Sequence, residues 1–77
     1  MAKVKVYSTQ SCPFCFMVKD FLKDNNVEFE DIDVAGDQNA LREMMKKSGQ
    51  NGVPQIEIDG KIIVGFNEQA LRKALKL

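Results

Sequence analysis

The chain has 77 residues, with 11 lysines and arginines against 11 aspartates and glutamates, no histidine, no tryptophan and 2 cysteines. That length fits a single domain spanning 1–77, with thin stability expected because a fold this small buries only about 60% of its unfolded surface. Zero net charge leaves no basic footprint for nucleic acid, and no apolar run is long enough for a membrane span. Met1-Ala2-Lys3-Val4-Lys5 lacks the apolar stretch of a signal peptide, and two cysteines are too few for a secreted disulfide scaffold, so a cytoplasmic location is expected. The missing histidine removes the usual general base and the commonest zinc ligand, which leaves sulfur to carry any chemistry.

Residues 3–7, Lys3-Val4-Lys5-Val6-Tyr7, alternate polar and apolar as a half-buried strand does. Ser8-Thr9-Gln10-Ser11 reads as a polar loop, and Pro13 suits the first position of a helix over 13–25. Phe14, Val18, Phe21 and Leu22 supply that helix's expected apolar face, and Asn25-Asn26 its stop. A second strand is expected over 27–34, where Val27, Phe29, Ile32 and Val34 alternate with acidic residues through one slip of phase. Those acidic residues read as a solvated face. Asp37 can cap a second helix reaching Ser48, with Leu41, Met44 and Met45 as its stripe; Met44 and Met45 read as core and flank rather than metal ligands. Residues 55–58 and 61–64 form β-branched runs joined by Asp59-Gly60, a strong hairpin signal. Asn67 then caps a last helix carrying Leu71, Ala74 and Leu75. The expected order is β-α-β-α-β-β-α, an α/β fold with a four-stranded mixed sheet flanked by three helices. Its first two strands should be parallel through a right-handed crossover.

The chemistry centres on Cys12-Pro13-Phe14-Cys15. Two cysteines placed at random in such a chain fall three apart roughly once in forty, so spacing alone is weak. Position is the stronger argument: Cys12 falls at the N-cap of the helix that follows the first strand. There the N–H groups of Phe14 and Cys15 should point at its sulfur, and the positive end of the helix dipole favours a thiolate. Cys15, on the next turn, should face inward as a shielded resolving thiol. A structural disulfide would close too short a loop to stabilise much, and a zinc site would need ligands from a second copy. A soft-metal carrier using the same two-cysteine loop for Cu(I) is the alternative from another class, although such domains run β-α-β-β-α-β and end in a strand. No metal site is expected.

Gly52-Val53-Pro54 precedes the third strand. Pro54 there is either punctuation that keeps the loop out of the sheet or a cis bond. A cis Val53-Pro54 would leave the Val53 N–H and C=O free to pair with an extended substrate.

Taken together, Cys12-Pro13-Phe14-Cys15 after Val4-Lys5-Val6-Tyr7, then Val53-Pro54-Gln55-Ile56, then Gly65-Phe66-Asn67-Glu68 before the last helix, resemble a glutaredoxin over nearly the whole chain. The resemblance implies a thioredoxin-like fold with Val53-Pro54 cis and facing Cys12. It also implies a glutathione-dependent thiol-disulfide oxidoreductase whose partners are glutathione and disulfide-bearing or glutathionylated proteins; a monomer is expected. No tightly bound cofactor is implied; glutathione is the electron donor. Cys12 and Cys15 would be catalytic, and Pro13, Phe14, Val53, Pro54, Gly65, Phe66 and Asn67 would frame the glutathione groove. The family's usual basic residue before the motif is replaced within Ser8-Thr9-Gln10-Ser11, and its Gly-Gly before the last helix is Val64-Gly65. Some redoxins of this size and motif are recycled by thioredoxin reductase instead, which is the second functional expectation. The dithiol motif sets the chain apart from the monothiol Cys-Gly-Phe-Ser branch, which handles iron–sulfur clusters.

Overall fold

In the computed structural model, which describes residues 3–77, the expected element order is present: β1 (Val4–Ser8), α1 (Pro13–Asp24), β2 (Glu30–Asp33), α2 (Gln38–Ser48), β3 (Gln55–Ile58), β4 (Lys61–Val64) and α3 (Glu68–Leu75). Met1 and Ala2, part of the N-terminal stretch read for a leader, lie outside the described residues. The four strands lie in the order β2-β1-β3-β4, with β1 parallel to β2 and antiparallel to β3, and β3 antiparallel to β4. This is the thioredoxin-like arrangement. Among the described residues no helix is long and apolar enough to cross a membrane.

Strand periodicity sends alternate side chains to the two faces of this sheet, and each face has its own core. Val4, Val6, Ile56 and Ile58 meet Val18, Phe21 and Leu22 of α1 and Leu71 of α3 on one face. Tyr7 and Val34 meet Ala40 and Met44 of α2 on the other. Fully burying a side chain such as Leu22 contributes about 1.5–3 kcal/mol. Met44 belongs to this second core, whereas Met45, the next residue, is exposed. Lys47 at the end of α2 donates to the Tyr7 hydroxyl at 3.2 Å and pairs with Glu43 at 2.9 Å and with Glu57 of β3. These contacts pin α2 to the sheet.

Local signals account for the boundaries. Asp37 accepts from the Asn39 and Ala40 N–H groups at 3.0 and 3.1 Å, which starts α2. The β3–β4 turn places Asp59 at φ 50° and Gly60 at φ 87°, the pair of positive values that a tight hairpin requires.

Three sequence expectations need correction. The second strand is shorter than 27–34, because pairing begins at Glu30 opposite Lys5. Val27 and Phe29 pack against the α1 core while Ile32 packs against the α2 core, so the phase slip marks a change of sheet face. Ser8 is the last residue of β1 rather than the first of a loop. Phe14 is 58% exposed; Cys15 takes its place on the inward face of α1.

Candidate functional site

Cys12 caps α1 with an extended backbone (φ −104°, ψ 108°), and Pro13 takes the first helical turn, where its missing N–H is no loss. The Cys15 N–H donates to the Cys12 sulfur at 3.2 Å and to the Cys12 carbonyl at 3.1 Å. Of the two N–H groups expected at the sulfur, that of Cys15 makes the bond. An accepting sulfur at a helix N-terminus stands where negative charge is favoured. Cys12 is half-buried, so a substrate sulfur can approach it; both thiols are free.

Cys15 differs in every respect. It is fully buried, and burial is the first reason its thiol is pushed up from 9.0 to about 11. The adjacent Cys12 adds to that, as hydrogen-bond partner and as charge, while a backbone bond from Thr9 and the ammonium of Lys19 act in the opposite sense. One accessible sulfur and one proton-retaining sulfur therefore share a single helix turn.

The second loop comes up to the motif. The Val53-Pro54 bond is cis, and the Val53 carbonyl lies 3.9 Å from the Cys12 sulfur, within reach of a weak S–H···O contact. Val53 is half-buried and Pro54 is buried. Gly65 donates to the Pro54 carbonyl at 2.8 Å, which ties the end of β4 to this loop. Its φ of 83° is one that a side chain disfavours, so glycine belongs here for its backbone alone. Asn67 caps α3 by accepting from the Ala70 N–H at 3.1 Å. Phe66 meets Phe21 edge to face with ring centroids 6.1 Å apart, so much of its surface serves the core. Phe14 and Pro13 stand exposed beside Cys12.

The structure adds residues that spacing did not reveal. Gln55 is fully buried, and its amide nitrogen donates to the Gln50 and Gly52 carbonyls at 3.1 and 2.8 Å, folding the loop that delivers Val53. Lys19 pairs with Asp31 of β2 at 2.9 Å, and Asp31 accepts from Ser8 at 2.9 Å. Asp31 is therefore more than a solvated charge. A shallow depression of about 430 Å³ runs beside the motif, lined by Thr9, Gln10, Ser11, Asp33, Ala35 and Gly36. None of the expected groove residues borders it. Among the described residues no group of three or more metal-ligating side chains comes together.

The glutaredoxin family model matches residues 4–63. A glutaredoxin-like 8.6 kDa protein of the Clostridium pasteurianum rubredoxin operon is 47% identical over 73 residues, covering 95% of this chain and 97% of its own. Glutaredoxin 3 of Escherichia coli K12 is 37% identical over 68 residues, covering 88% of this chain and 82% of its own. Among solved structures, a glutaredoxin from Archaeoglobus fulgidus superposes with a TM-score of 0.90 at 28% identity, over 100% of this chain and 89% of its own.

Proposed function

Because this chain belongs to the glutaredoxin family of redox proteins, we propose that it is a dithiol thiol-disulfide oxidoreductase that draws its electrons from glutathione. The observation that carries this is the division of labour within α1: an accessible Cys12 sulfur receiving a helix N–H at 3.2 Å, and a buried Cys15 on the same turn. Cys12 attacks a substrate disulfide or a glutathionylated cysteine and forms a mixed disulfide. Cys15 then attacks Cys12, releasing the reduced product and leaving a Cys12–Cys15 disulfide. One glutathione opens that bond and a second frees Cys12. The exposed Phe14 and the Val53 backbone flank the substrate, and the N–H groups next to Asn67 at the head of α3 offer a place for a carboxylate. The potential expected for this class is about −200 to −230 mV. Glutathione acts as a diffusing donor rather than a resident cofactor, in the cytoplasm and with a monomeric protein.

A second electron source has an observation in its favour. Thr9, Gln10, Ser11, Phe14, Val53, Phe66 and Asn67 include no cation for glutathione's carboxylates, and Glu68 adds a negative charge to the first turn of α3. This favours recycling by thioredoxin reductase. The test supplies NADPH with either glutathione and its reductase or thioredoxin reductase alone, and follows reduction of the oxidised protein. Recycling in the first arm upholds glutathione dependence; recycling confined to the second replaces glutathione as donor. Failure of both arms, with stoichiometric Cu(I) uptake instead, would refute the enzymatic proposal.

A further inference from the structure

The resolving step needs Cys15 as a thiolate, and burial opposes it. Lys19 follows Cys15 by four residues on α1, one turn along the same face. Its side chain is only 15% exposed, so its charge is less screened than that of a surface lysine. The ammonium is fixed: Asp31 holds it at 2.9 Å, and Asp31 accepts in turn from Ser8 at 2.9 Å. Ser8 ends β1, the strand whose following loop delivers Cys12. The ammonium also lies over the Phe16 ring, 5.6 Å from its centroid. A largely buried ammonium held by Asp31 of β2 differs from an exposed ion pair, which contributes little on its own.

Resting on the dithiol function above, we propose that Lys19 is a positioning residue for the resolving step, a fixed cation that stabilises the Cys15 thiolate as it attacks the mixed disulfide, with Asp31 and Ser8 holding it in place. The groups acting on Cys15 are the Cys12 sulfur at the head of its helix, Lys19 one turn on, and the Thr9 backbone from the preceding loop; Asp31 of β2 acts through Lys19. Cys12 opposes ionisation of Cys15 both as a charge and as a hydrogen-bond partner. Once Cys12 is bonded to a substrate sulfur it carries no charge, and that opposition ends. Lys19 and Thr9 then favour the Cys15 thiolate at the stage when it is needed. In that step Cys15 releases its proton to solvent and its sulfur forms a bond to the Cys12 sulfur. The bond from Cys12 to the substrate breaks, and the substrate sulfur leaves with the electron pair and takes a proton from solvent. The cysteine pair is oxidised by two electrons as the substrate disulfide is reduced by two.

Ellman's reagent, an aromatic disulfide, separates the steps in stopped flow. The first thionitrobenzoate is released as Cys12 attacks, and the second as Cys15 resolves the adduct. Lys19→Gln should slow the second release about three- to tenfold at neutral pH and move its pH midpoint upward, while the first stays within about twofold of the unmodified protein. Lys19→Arg, which keeps the charge, should restore the second rate and its midpoint. A second phase unchanged in Lys19→Gln, or both phases slowed alike, overturns the role of Lys19. A first phase that survives Cys12→Ser unchanged would instead refute the dithiol assignment itself.

Discussion

Raising the pH of the reduced protein should weaken its fold through Cys15. The thiol is raised from 9.0 to about 11, chiefly by burial and then by its bond with Cys12. A thiol whose folded value exceeds its unfolded value holds its proton longer in the folded chain. Its stabilising contribution is complete below about pH 9 and is lost as the pH climbs through about 11, because the unfolded chain ionises first. Two pKa units correspond to about 3 kcal/mol when the loss is complete, and roughly 2 kcal/mol of that is gone by pH 11. In a fold whose total stability is of the order of 5 kcal/mol, such a loss is easily seen. The assay is urea denaturation under reducing conditions at about pH 8 and about pH 11, on the unmodified protein and on Cys15→Ser. The other alkaline groups are the same in both proteins and cancel in the comparison. The unmodified protein should lose about 2 kcal/mol more than the variant across this interval. Equal losses in the two would refute the assignment of Cys15 as a thiol that burial keeps protonated.

Other substitutions probe how the site is held. Gly65→Ala places a side chain at φ 83° and should cost about 1–2 kcal/mol, read as a lower urea midpoint; it should also weaken substrate turnover, because Gly65 ties β4 to the Val53-Pro54 loop. Asn67→Ala removes the cap on Ala70 and should cost about 0.5–2 kcal/mol, visible as a lowered Tm. Cys15→Ser should abolish reduction of protein disulfides yet leave part of the activity toward glutathione adducts, measured in a coupled NADPH assay.

Much of the architecture was legible because its determinants are local. Cys12-Pro13, Asp37 and Asn67 each open a helix as caps, and Asp59-Gly60 makes the hairpin that its composition implies. The place of Cys12, the proposed nucleophile, followed from the first of these. What escaped the sequence depends on the third dimension. Phe14 fits the apolar stripe with Val18 and Leu22 by spacing and hydrophobicity, yet only Cys15, expected inside, is buried there, and the Phe14 ring is turned out. Val27 and Phe29 alternate like a strand because they cover the α1 core, although pairing starts only at Glu30. Asp31 looked like one of several surface acids, and only the parallel packing of β2 on β1 brings it to Ser8 and Lys19. Gln55 within an apolar run gave no hint that its amide would fold the loop before it.

The division of roles between the sulfurs is tested most directly by covalent trapping. Cys15→Ser and Cys12→Ser are each exposed to glutathione disulfide at neutral pH, and the adduct is located by tandem mass spectrometry over time. The account predicts rapid glutathionylation of Cys12 in the first variant and little at Cys15 in the second. Adduct forming on Cys15 as fast as on Cys12 would contradict it.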